Sequence, residues 1–202
     1  ESSFALDKNN NILFLSTNGT LYSMNLINNK KVNWIKNFKP ENEIVFNARP
    51  IVISDDKILI STDNKIELFS SEGKTIWDLN IKTNILPIIS GNTIFVISED
   101  NYLLLINKDS GNIVFSKNIF SLVKEEYENK YNKKIKKIDN IFLIKNKLLL
   151  ISNNAFFIEL DLQNSLKAES IKKNSFDIAS DIIFYNKQMI FVSNKKRIYK
   201  VN

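Results

Sequence analysis

Two adjacent acidic pairs, Asp55-Asp56 and Glu99-Asp100, are the residues of this chain best suited to hold a hard cation. A calcium site needs about six to eight converging oxygens. These pairs sit at turns of two different repeat units, so they are expected to be solvated turn carboxylates. The other common catalytic groups are missing. The 202 residues include no histidine and no cysteine. That removes imidazole bases, imidazole and thiolate metal ligands, disulfides, and every Ser–His or Cys–His nucleophile. The reading is a protein that is not an enzyme, with no catalytic, cofactor-binding or metal-binding residues and no cofactor.

The charged residues point instead to a contact surface. Lysine and arginine number 28 against 22 carboxylates, a net charge of +6, and Arg49 and Arg197 are the two arginines. Nucleic-acid readers favour arginine for bidentate contacts, and a lysine bias spread along the chain argues against a nucleic-acid partner. The stretch 120–138, "FSLVKEEYENKYNKKIKKI", carries Leu122, Val123, Tyr127, Tyr131, Ile135 and Ile138 at spacings of one, three and four. That pattern predicts a short amphipathic helix, with Glu126–Lys130 as an i,i+4 pair. Its polar side and the Lys195-Lys196-Arg197 turn are expected on one face, as a dock for an acidic protein domain or anionic lipid headgroups. The candidate partner-binding residues are Arg49, Lys124, Tyr127, Lys130, Tyr131, Lys133, Lys134 and Arg197. The bland alternative is a solvated helix packing its apolar side on the sheets. Arg49, within "KPENEIVFNARP" (39–50), serves equally as an interface residue or as a pin for its own loop.

The elements that would position these residues recur. Five segments pair a β-rich run, a polar turn and a second run: 11–26, 57–70, 93–107, 147–161 and 189–202. A serine closes the first run of each: Ser16, Ser61, Ser98, Ser152 and Ser193. Their spacing is close to the roughly 40–45 residues of a four-stranded propeller blade, with one insertion. A short apolar strand precedes each pair, with first turns such as Asp55-Asp56, Gly91-Asn92 and Asn146-Lys147. A fourth strand follows each of the first four: 31–38, 74–81, 112–119 and 166–171. The alternation is two-fold throughout. The fold class is therefore all-β: a β-propeller of four-stranded antiparallel blades. A β-sandwich uses similar strands but does not explain the period. Five blades are expected as one propeller domain or fragment, at about 2–38, 48–81, 85–119, 138–171 and 178–202, with an insertion at 120–137.

"GTLYSMNLINNKKVNW" (19–34) and "NKIELFSSEGKTIW" (64–77) resemble the blade motif of pyrroloquinoline-quinone-type repeats: glycine, apolar residues, a turn, then tryptophan. "NYLLLINKDSGNIVF" (101–115) keeps the turn with Phe115 in place of tryptophan, and 155–170 lacks both glycine and tryptophan. The resemblance implies that Trp34, Trp77 and Phe115 are structural residues docking blade on blade. Members of this class often have seven or eight blades, which implies further blades before Glu1; the alternative is a strained five-blade ring closed by residues 2–7. Some members of this class are quinone-dependent dehydrogenases, but the adjacent cysteines and dense acidic loops of those enzymes are absent. In character the chain is most similar to the BamB family of outer-membrane assembly scaffolds. That likeness implies a cofactor-free protein–protein scaffold in the periplasm or at the outer membrane. The implied partner is the periplasmic domains of a barrel-assembly protein, with a lipid anchor upstream. The alternative is a propeller sensor or adhesin-type module. No apolar run approaches the roughly 18 residues of a membrane span.

Overall fold

The computed structural model describes residues 3–27, 31–38, 49–62, 64–128, 130–131, 133–175, 177–186 and 188–201. The chain divides into two compact units, Glu1–Lys117 and Asn118–Asn202.

Three four-stranded antiparallel sheets make up the first unit, each in sequential order. Blade 1 contains β1 (Ser3–Leu6), β2 (Asn11–Leu15), β3 (Thr20–Asn25) and β4 (Val32–Asn37). Blade 2 contains β5 (Val52–Ser54), β6 (Lys57–Ser61), β7 (Ile66–Ser70) and β8 (Thr75–Leu79). Blade 3 contains β9 (Ile88–Ser90), β10 (Thr93–Ile97), β11 (Tyr102–Asn107) and β12 (Ile113–Asn118). The second unit opens with the helix α1 (Ile119–Tyr127), capped by the Asn118 side chain, which accepts from Phe120 N. Blade 4 follows, with β13 (Ile138–Ile144), β14 (Lys147–Ser152), β15 (Phe156–Asp161) and β16 (Lys167–Lys173). Among the described residues blade 5 has three strands, β17 (Ile183–Tyr185), β18 (Gln188–Val192) and β19 (Ile198–Val201).

The recurring serine has a local job. In blades 1, 3, 4 and 5 the backbone N–H of Thr20, Tyr102, Phe156 and Arg197 donates to Oγ of Ser16, Ser98, Ser152 and Ser193. The hydroxyl thereby closes a turn whose fourth residue, Gly19, Asn101, Ala155 or Lys196, has positive φ. In blade 2 the serine ends its strand as expected, but the turn hydroxyl comes from the next residue. Ser61 is a buried strand residue paired with Ile66, and Thr62 closes the turn by accepting from Lys65 N. The first turn of blade 4 is Lys145-Asn146, one residue earlier than the sequence suggests, because Lys147 already pairs in β14.

Within each unit neighbouring sheets bury aliphatic faces against each other. Leu13, Leu15 and Leu21 of blade 1 pack with Ile58, Ile60 and Phe69 of blade 2. Leu59, Ile66 and Leu68, on the other side of blade 2, pack with Ile94, Val96, Leu104 and Ile106 of blade 3. Ile151 and Phe157 of blade 4 pack with Met189 and Phe191 of blade 5. Each fully buried side chain of this size contributes roughly 1.5–3 kcal/mol. The tryptophans close the outer ends of two of these layers. Trp34 Nε1 donates to Ser71 O at 2.9 Å, and Trp77 Nε1 to Lys108 O at 2.8 Å, each on the following blade. Phe115 is half-buried on β12.

One charged cluster lies inside the first layer. Glu67 on β7 is 4% exposed. Lys65 reaches it at 2.7 Å and Lys36, from blade 1, at 3.2 Å, while Thr75 donates at 3.0 Å. Burial pushes the Glu67 carboxyl up, but the hydrogen bonds from Lys65, Lys36 and Thr75 outweigh it and hold the group below the ordinary carboxylate value. Lys36 also stands over the Phe69 ring, 4.2 Å from its centre. A buried strand position with an acidic residue between isoleucine and leucine, "IEL", is the sequence signal for such a clamp.

Candidate interaction face

The helix is shorter than the apolar spacing of 120–138 suggests. It ends at Tyr127, where Glu128 adopts a φ of 52° that no α-helix continues. Tyr131 then begins a turn, its carbonyl accepting from Lys134 N and Ile135 N, and Ile138 belongs to β13. The spacing persists past the helix because each residue finds a separate apolar seat. Tyr131 packs edge-on against Tyr127 and Phe156, and Ile135 is buried. The Glu126–Lys130 pair is not what holds Glu126. Glu126 pairs with Lys167 on β16 at 3.1 Å, and Lys130 lies over the Tyr131 ring.

The helix runs along the outer strand of its own blade. Tyr127 Oη donates to Glu169 O on β16 at 2.8 Å. Burial, reinforced by Tyr131 and Glu126, holds its phenol above the ordinary value, so it remains a donor. An open groove of about 590 Å³ between them is lined by Glu126, Tyr127, Asn164, Lys167, Ala168 and Glu169. Its charges are already engaged, Lys167 with Glu126 and Glu169 with Lys147.

At the other end of β16, hydrogen bonds draw several basic segments together. Asn154, in the β14–β15 turn, donates Nδ2 to Lys134 O and accepts from Lys136 N at Oδ1. Asn153 N donates to Lys137 O, and Lys173 Nζ donates to Asn154 O. Lys173 is also 3.7 Å from Asp177. The Asp177 carbonyl accepts from Asn194 N, which opens the Lys195-Lys196-Arg197 turn of blade 5. Lys133, Lys134, Lys136, Lys137, Lys172, Lys173, Lys195, Lys196 and Arg197 are all exposed. Asp139 and Asp177 are the carboxylates of the same segments.

Charge is divided unevenly between the units. Residues 118–202 hold sixteen cationic side chains against nine carboxylates, a net of +7. Residues 1–117 hold twelve against thirteen, a net of −1. The positive charge of the chain thus belongs to the second unit.

Of the sequence candidates, Lys133, Lys134 and Arg197 fall in this linked set. Lys124, Tyr127, Lys130 and Tyr131 lie on or just after α1. Arg49 lies in the first unit. Its guanidinium donates to Asn84 Oδ1 at 2.7 Å and to Thr83 O at 3.5 Å, pinning the loop ahead of β9. Residues 39–48 of the second candidate segment lie outside the described residues. Lys172 and Lys173 escape the sequence reading because β16 runs two residues past its expected end at Ile171. The acidic pairs sit in turns as expected. Asp55 lies 3.5 Å from Lys108 Nζ, and Glu99 accepts from Asn84 Nδ2 at 3.1 Å. Among the described residues no group of three or more acidic side chains is gathered to hold a metal ion. No helix of the described residues is long and apolar enough to cross a membrane.

These features define a β-propeller class of protein, built from four-stranded antiparallel blades. No family model and no curated protein sequence matches the chain. Solved structures do. BamB from Moraxella catarrhalis is similar over 98% of this chain and 57% of its own, at 12% identity and a TM-score of 0.68. The C-terminal WD40 domain of Sif2 is similar over 100% and 56%, at 12% identity and 0.69. The Neurospora crassa Pan2 WD40 domain is similar over 98% and 59%, at 11% identity and 0.64. At these identities the likeness is one of fold. The chain spans a little over half the length of each of these structures.

Proposed function

We propose that this chain is a non-catalytic protein-interaction scaffold of the BamB kind, part of a seven- or eight-bladed ring. Its basic face in residues 118–202 captures an acidic partner domain. The observation that carries the reading is the charge asymmetry. A net of +7 sits on one unit, and nine exposed cations gather on segments tied together through Asn154, Lys173 and Asp177. A field of one sign raises encounter rates with an opposite partner and disfavours like-charged ones. The likeness to BamB and to WD40 propellers supports a scaffold. The finer reading is a component of outer-membrane β-barrel assembly in the periplasm, held by a lipid anchor upstream. It would bind the periplasmic domains of a barrel-assembly protein. The test is capture of those purified domains by immobilised chain. Capture should be strong with the native chain and weak with the K133E/K134E/R197E variant, at unchanged thermal stability. Equal capture by both would overturn the reading.

A further inference from the structure

Blade 1 carries an unusual face. Phe4, Phe14, Tyr22 and Ile35 lie in cross-strand register over all four strands. A second row, Leu6, Ile12, Met24 and Val32, runs beside it on the same side. No charged side chain stands in either row. Phe4 is 80% exposed, and Leu6 and Ile35 are each 58% exposed. Apolar rows of this length on an open sheet are what soluble proteins otherwise blunt with charge.

The internal repeat shows what such a face is for. Turn closure by Ser16, Thr62 and Ser98 sets the blades in correspondence, so Ile12 and Phe14 match Ile58 and Ile60 of blade 2 and Ile94 and Val96 of blade 3. Those four are at most 2% exposed. Each is covered by the blade before it, which supplies aliphatic side chains and a tryptophan from its outermost strand. In both cases the indole N–H donates to the carbonyl just after β7 or β11, Ser71 O or Lys108 O. The matching carbonyl after β3 is that of Leu26. Leu26 and Ile27 are 44% and 69% exposed.

We propose that the outward face of blade 1 is the seat of a further four-stranded blade of the same polypeptide. That blade presents an aliphatic face to Phe4, Phe14 and Met24 and an outer-strand aromatic to the Leu26 carbonyl. The ring proposed above supplies the room, since the matched propellers are nearly twice as long as this chain. The inference rests on that ring and not on the basic face, so the two fail separately.

The 202 residues include no cysteine, so one introduced thiol reports one site there, and peptide mass spectrometry reads the same site in the longer polypeptide. Phe4→Cys, with Leu6→Cys as a second variant should the first misfold, is labelled with a maleimide, because these inner-strand positions match Ile51 and Ile53 of blade 2, which blade 1 partly buries. Labelling is compared between the 202-residue chain and the polypeptide as its gene encodes it. Lys8→Cys, in an exposed turn, is the reference. Face labelling should be fast in the 202-residue chain and slowed by about tenfold or more in the encoded polypeptide, with Lys8→Cys unchanged. Equal rates in the two polypeptides would overturn the proposal. So would slow labelling of the 202-residue chain that deepens with concentration, which would assign the face to a second copy.

Discussion

The indole of Trp34 lies so close over Gly73 that a Cβ on that glycine would stand 2.6 Å from Trp34 Cδ2. Gly111 stands in the same relation to Trp77, at 2.7 Å from Cγ. The glycine and tryptophan of the repeat therefore meet between blades: Trp34 of blade 1 needs the glycine of blade 2, and Trp77 needs that of blade 3. Both glycines also have φ near +80° or +73°, where a side chain is strained. Gly73→Ala combines that strain with overpacking and should destabilise by about 2–4 kcal/mol. Gly91→Ala shares a positive φ but meets nothing within 4 Å, and should cost about 1 kcal/mol. Urea unfolding followed by tryptophan fluorescence measures both. Equal losses would show that backbone strain alone, and not the indole contact, decides the effect.

The Glu67 clamp gives the first unit a pH dependence. Its carboxyl titrates lower in the folded chain than in the unfolded one, so the unfolded state binds the proton more readily. Stability from this group is complete above the ordinary carboxylate value of about 4.3 and is lost as pH falls through the folded value. Glu67→Gln keeps the shape but removes the charge facing Lys36 and Lys65. It should cost about 2 kcal/mol at neutral pH and much less in acid. Thermal melts of both proteins across the acid range check this. Parallel curves for native and variant chains would assign the acid sensitivity elsewhere.

Architecture was legible in the sequence because the same physics repeats. Two-fold alternation marks strands whose faces must both be covered, and polar turns with positive-φ residues recur at blade spacing. Where one local rule has two solutions, sequence reading slipped. Ser61 ends β6 as the series leads one to expect, but the hydroxyl that accepts in the following turn is that of Thr62, which the serine series does not reveal. In 120–138, helical spacing outlasts the helix because Tyr131 is half-buried against Phe156 of blade 4 and Ile135 is buried after its turn. Topology leads only to the expectation that Lys133, Lys134 and Arg197 share one face. The inclusion of Lys173 depends on Asn154 and Asp177, contacts between turns that no local pattern encodes.

Helix α1 is tied to the outer strand of blade 4 by a hydrogen bond from the half-buried Tyr127, Oη to Glu169 O, and by the more exposed Glu126–Lys167 ion pair. An uncovered edge strand offers unpaired backbone groups to other chains. Tyr127→Phe keeps the ring against Tyr131 and removes only the donor. It should lower stability by about 1 kcal/mol. It should also speed amide exchange in α1 more than in β14, which is central in its sheet. Hydrogen exchange read by mass spectrometry resolves the two segments. Uniform acceleration across blade 4 would show that the hydroxyl supports the whole sheet and not the docking of the helix.

If the basic face works through its field, its signature is kinetic. Exposed charges act over a Debye length of about 10 Å at 0.1 M salt, so salt should act on encounter more than on the docked contact. Association of an acidic partner domain should slow by about tenfold between roughly 0.05 and 0.5 M salt, with a smaller change in dissociation. Reversing Lys133, Lys134 and Arg197 should slow association at low salt and flatten this dependence, because the repelling side chains leave less field to screen. A single reversal at Lys36 is not a useful control, because Lys36 also holds buried Glu67. Reversal at Lys8, exposed in the first unit, leaves the second unit's charge intact and should preserve the native slope. Surface plasmon resonance over a salt series measures both rates. An identical salt slope in the native chain and in the triple variant would remove the face from the encounter and leave the partner to dock elsewhere.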